Sequence, residues 1–150
     1  MNDVLFYEQC AMELFASLAT IIRAEAKKEG EEISEQAYFG RSIKSILKDA
    51  NTLLEDARKA LRKGNADWEE KYDKALLFLM ERNKDLAYGL QNLEARYGRF
   101  FAIACEKVDS EEFFQNVGAV ELSVGLNPYE YAHLTKEDSI KSVISAYVPM

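Results

Sequence analysis

Apolar residues recur along most of this chain at steps of three and four, the period that gathers side chains on one face of an α-helix. Val4, Tyr7, Ala11, Leu14, Leu18 and Ile21 mark such a face, widened by Cys10, Phe15 and Ile22, and predict a first helix over Asp3–Glu29. Lys27 and Lys28 suit the negative end of its dipole, and Gly30 can close it in the left-handed conformation. A second helix is expected from the N-cap Ser34 to Lys63, with Phe39, Ile43, Ile46, Ala50, Leu53, Ala57 and Leu61 facing the core. Gly64 then stops the chain, Asn65 caps a third helix, and Asp67, Glu69 and Glu70 load its positive end. So short a connection joins antiparallel neighbours.

The third region is the most regular. Tyr72, Leu76, Leu79, Asn83, Leu86, Leu90, Leu93, Tyr97, Phe100 and Ala104 keep a strict four-three alternation, a coiled-coil-like repeat. Unbroken from Ala66 to Lys107, it would span about 63 Å, against about 45 Å for the second helix. It must therefore overhang its partners or break, most naturally near Gly98. An overhang would leave apolar residues in need of a partner.

Beyond this point the pattern shortens. Asp109 can cap a helix with Glu112 at the third position, and Phe113, Phe114 and Val117 form its apolar face. Asn127-Pro128 with Glu130, and Thr135 with Asp138, repeat the capping device. A last helix then presents Ile140, Val143, Ile144 and Tyr147 and stops before Pro149. Val120–Leu126 could form a short strand, but it has no second strand to pair with. The architecture expected is all-α and a single domain. Residues 1–108 form an antiparallel bundle of three long helices, and residues 109–150 a smaller helical C-terminal element.

Composition agrees with that picture. Of 150 residues, 48% are apolar and 30% charged, ordinary proportions for a soluble globular domain. No apolar run approaches the roughly 18 to 20 residues of a membrane span, and no basic region opens the chain. A cytoplasmic protein without a membrane partner is expected. Cys10 and Cys105 lie within apolar helical patterns and read as buried, reduced thiols.

Charge refines the functional picture. The net charge is −7, yet Arg41, Lys44, Lys48, Arg58, Lys59, Arg62 and Lys63 outnumber Asp49, Glu55 and Asp56 across the second helix. Arg41, Lys44, Lys48, Arg58 and Arg62 fall on one stripe, the spacing that could follow a phosphate backbone. Aromatic residues do not interleave with the stripe in sequence, so a solvated basic face is the favoured explanation.

Catalytic chemistry finds little support. His133 is the only histidine, and no nucleophile stands at helical spacing from it. A ferritin-like di-iron site needs two Glu-x-x-His motifs, and zinc needs more Cys and His than this chain offers. No EF-hand spacing and no glycine-rich phosphate loop occur. Gly89 and Gly98 are isolated in helical sequence and read as packing or kink positions. The acidic pairs Glu69-Glu70 and Glu111-Glu112 sit at helix starts, where the dipole accounts for them. No cofactor, no metal and no enzymatic activity are expected.

Interaction is the better expectation. Asn83 is one polar residue in an apolar repeat, a device that can fix register or oligomeric state unless helix rotation brings it to a solvated edge. Tyr129, Tyr131 and His133 stand at two-residue steps that one helical face cannot bury together, and with Asn83 and Tyr147 they form the candidate protein interface. The leading expectation is a non-catalytic adaptor or assembly subunit, partnered by another protein or by itself. One alternative is a small subunit of a nucleoprotein complex, using the basic stripe. Another is an acidic antagonist of the phage type, whose carboxylates would occupy a partner's nucleic-acid groove.

Overall fold

The structure, a computed structural model, describes residues 3–116 and 135–148. All regular structure among the described residues is helical. The elements are α1 (Asp3–Lys28), α2 (Glu35–Phe39), α3 (Ile43–Arg62), α4 (Trp68–Arg96), α5 (Gly98–Lys107) and α6 (Lys136–Tyr147). Residues 111–116 begin a further helical segment. The candidate strand at Val120–Leu126 and the Asn127–Glu130 capping signature lie outside the described residues.

Every other element packs on α4. α1, α2, α3, α5 and α6 all contact it, while α1 also packs on α5, and α5 on α6. The core joins Phe15, Leu18 and Ile22 of α1, Ile46 of α3, Leu79, Leu86, Leu90 and Leu93 of α4, Phe101 of α5 and Ile140 of α6, all fully buried. Each such side chain contributes roughly 1.5–3 kcal/mol over an exposed one. Among the described residues α1 alone is long and apolar enough to cross a membrane, at a mean hydropathy of 1.2, so the expectation that no stretch reaches that threshold is corrected. Most of its apolar residues, such as Leu14, Phe15, Leu18 and Ile22, are nonetheless buried within this chain, as those of a core helix are.

The expected second helix is in fact two. Ser34 caps α2 by accepting from Ala37 N, and Gly40 ends it at φ 77°, where a side chain would be strained. Ser42 then starts α3 by accepting from Ser45 N. The corner is tied to α1, because the Glu35 carboxylate accepts from Ile43 N and pairs with Arg23. Gly89 makes the corner possible, since α2 lies so close to α4 that a Cβ there would meet Phe39 and the Tyr38 carbonyl.

The long third region breaks, as its length demanded. Tyr97, at φ −128° and ψ 49°, separates α4 from α5. Past the break the chain lies along the later part of α1, where Arg99 pairs with Glu29 and Lys107 with Glu25. The 29 residues of α4 reach only about 43 Å, so the length argument for an overhanging apolar end no longer holds. The C-terminal helix is held by ions and caps. Thr135 accepts from Asp138 N, Lys136 donates to the Glu106 carbonyl at 2.9 Å, and Lys141 bridges Glu94 and Glu137 at 3.0 and 3.3 Å.

Candidate functional site

The most unusual interior feature is polar. Glu8 of α1 is 5% exposed and Asn83 of α4 is fully buried. Asn83 Nδ2 donates to the Glu8 carbonyl at 2.9 Å and to its Oε1 at 3.3 Å. Tyr147 of α6 places its hydroxyl 2.7 and 2.9 Å from the two carboxylate oxygens, and its ring meets Phe15 edge-on at 5.5 Å. Burial, followed by the Glu8 hydrogen bond and charge, holds the Tyr147 phenol far above its ordinary range. Three helices that are distant in sequence thus meet at one carboxylate. Asn83 Oδ1 is buried without a hydrogen-bond partner among the described residues.

This arrangement places two candidate interface residues. Asn83 is inside the core and not at a solvated edge, and it fixes α1 against α4 within one chain. Tyr147 is half-buried beside it. Val143, another apolar residue of the C-terminal helix, is buried as well. Tyr129, Tyr131 and His133 lie outside the described residues.

The basic stripe divides. Arg41 precedes α3 and pairs with Asp49, and Arg62 at the other end pairs with Glu55 at 3.0 Å. Lys44, Lys48 and Arg58 are exposed and make no ion pair among the described residues. Arg41 lines a recess of about 260 Å³ with Tyr38, Gly40, Arg82, Asp85 and Tyr88. Arg58 instead borders a larger groove of about 610 Å³ at the opposite end of α3.

That groove was not visible in the sequence. Leu5 and Gln9 of α1, Leu61 of α3, and Trp68 and Tyr72 of α4 line it, with Glu69 and Asp73 on one edge. Val4 and Leu61 belong to predicted core faces, yet they remain 48% and 47% exposed. The signal available was positional: these are the end residues of their stripes, where the neighbouring helices stop.

The remaining perturbed groups have structural causes. Burial raises both thiols, Cys10 and Cys105, the latter to about 12. Hydrogen bonds from Lys107 and Lys28 hold the Glu25 carboxyl below its usual range, and Glu25 and Glu94 raise Lys107 and Lys141 respectively. Among the described residues no cluster of three or more His, Cys, Asp or Glu is placed to hold a metal ion. Carboxylates such as Glu25, Glu29, Glu35, Glu55 and Glu94 are tied to cations of the same chain.

No family model matches the chain, and no solved structure does. Over 73 residues it is 34% identical to a protein of Thermococcus onnurineus (strain NA1) named "Putative adenylate kinase". The match covers 49% of this chain and 40% of that protein, so it does not place the chain in a family. The phosphate-loop pattern Gly-x-x-x-x-Gly-Lys-Ser/Thr occurs nowhere in the 150 residues. The likeness therefore brings no recognisable phosphate cradle to this chain.

Proposed function

We propose that this protein is a non-catalytic assembly subunit that pairs with a second copy of itself through the groove at the α1–α3–α4 end. The observation that carries the reading is the exposure of Leu61, continuous with the apolar face of its helix and lining the groove with Trp68 and Tyr72. Apolar residues at the end of a core stripe, flanked by Trp, Tyr and Arg, have the composition of an interface centre. The rim favours a second copy as the occupant. Arg58 comes to the lining from α3, and Glu69 and Asp73 from α4. A two-fold contact sets the basic edge of each copy against the acidic edge of the other, which is the self-complementarity an isologous dimer needs. The same reading takes α1, α3 and α4 as an antiparallel three-helix bundle. The short α3–α4 connection supports it, as does the meeting of Leu5, Leu61 and Trp68 at one end.

Light scattering behind gel filtration, run over a range of concentrations, tests the pairing. The expected mass is twice the 17.1 kDa of one chain. Leu61→Glu, at an exposed position, should return the protein to one chain with its helical circular dichroism intact. A wild-type protein that stays at one chain's mass at every concentration overturns the proposal.

A further inference from the structure

A second surface stands apart from that groove, at the start of α3, and does not depend on pairing. The recess there brings Tyr38 of α2 and Tyr88 of α4 beside Arg41 and Arg82. Tyr88 is 58% exposed. On the same helix, Lys44 and Lys48 line a shallow groove of about 600 Å³, with Lys59, Glu55 and Asp56 further along it. In sequence the basic stripe has no aromatic residue among its cations; folding supplies two from neighbouring helices.

We infer that this recess is a binding site for single-stranded nucleic acid, with Tyr88 and Tyr38 taking one base and Arg41, Lys44 and Lys48 taking the adjoining phosphates. Single strands are held by such a pairing of aromatic faces with a cationic track. At about 260 Å³ the recess exceeds the roughly 150 Å³ that suffices for benzene, so a base has room. Arg82 lies over Phe78 at 5.6 Å and is bound to Asp85 at 3.3 Å, while its Nε is buried without a hydrogen-bond partner among the described residues. Asp85 on the wall disfavours a phosphate in the recess itself, but its carboxylate can accept from a base N–H, such as N3–H of uracil or thymine. Lys44 and Lys48 are free to meet phosphates, because neither is held in an ion pair among the described residues. Arg58 and Arg62 do not belong to the site. Arg58 lies about 21 Å along the helix from Lys44, beside the groove at the other end.

The binding of fluorescent oligouridylate and oligothymidylate to the full chain, followed by anisotropy across a salt series, tests the assignment. Contact with about three phosphates gives a logarithmic salt slope near −2. Tyr88→Ala should weaken binding on the order of ten-fold, while Tyr88→Phe, which keeps the ring, should bind as wild type. Replacing Lys44 and Lys48 together by Ala should flatten the slope by about 1.4. Absence of binding at low salt overturns the inference. So does a Tyr88→Ala variant that binds normally, and so does equal affinity for duplex. Because the read-out is oligonucleotide affinity, a strictly single-chain protein would refute the pairing proposal and leave this one standing.

Discussion

Gly89 offers a perturbation whose sign separates packing from propensity. In a helix interior, Gly→Ala normally stabilises by about 1 kcal/mol, because alanine loses less backbone freedom. At Gly89 the new Cβ would stand 2.5 Å from Phe39 Cε1 and 2.5 Å from the Tyr38 carbonyl oxygen. The carbonyl is backbone and cannot rotate aside, and Phe39, 3% exposed, belongs to the packed core. Overpacking of this kind costs about 1–3 kcal/mol, here towards the upper end because two groups are struck at once. Subtracting the propensity gain leaves a net loss of about 1–2 kcal/mol. For a chain of this size that lowers Tm by about 2–8 °C. Gly98 is the internal control, since a Cβ there meets nothing within 4 Å. Gly98→Ala should leave Tm unchanged or raise it. Differential scanning calorimetry of the two variants decides the matter. A Gly89→Ala protein that melts higher than wild type, in step with Gly98→Ala, would refute the close approach of α2 to α4.

Two further outcomes follow from the interior. Tyr147→Phe removes the hydroxyl donor from the buried Glu8 carboxylate and should cost about 1.5–3 kcal/mol, read as a lower urea midpoint at unchanged slope; an unmoved midpoint would mean that Glu8 does not depend on that hydroxyl. Burial raises the Cys105 thiol from 9.0 to about 12. The folded state therefore binds that proton more tightly, so its contribution to stability is complete below about pH 9 and is lost as pH rises towards 12. Cys105→Ala should lose less stability than wild type between pH 8 and 10.5, and in native wild-type protein Cys105 should resist a thiol reagent that labels it in denaturant. Equal alkaline losses would contradict this burial effect.

Local chemistry was the readable part of this chain. α1 ends within one residue of its expected limit, Gly30 closes it at φ 80°, and Ser34 and Thr135 cap the helices assigned to them. These signals were legible because a cap or a left-handed glycine depends on residues a few positions apart. The split of the second helix was also encoded locally, by Gly40 followed by Ser42. The continuous apolar stripe across it masked the break, because Phe39 and Ile43 are both buried even though the helix stops between them. Asn83 shows the opposite limit. Its position in the repeat marked it as unusual, but nothing local could reveal partners 75 residues before it in Glu8 and, through Glu8, in Tyr147. The groove and the aromatic recess were hidden for the same reason. Which stripe ends stay uncovered, and which tyrosines stand beside a lysine, depends on how helices are placed in space.

The convergence of the other helices on α4 also sets a schedule for synthesis. α1 and α3 each pack on α4, whereas neither makes substantial contact with the other. During synthesis Phe15, Leu18, Ile22 and Ile46 precede the α4 surface on which their helices pack. At roughly 5–20 residues per second, the 29 residues of α4 take a few seconds to follow. During that interval the amphipathic helices before α4 lack its cover, so the part of the core that α4 builds is completed late.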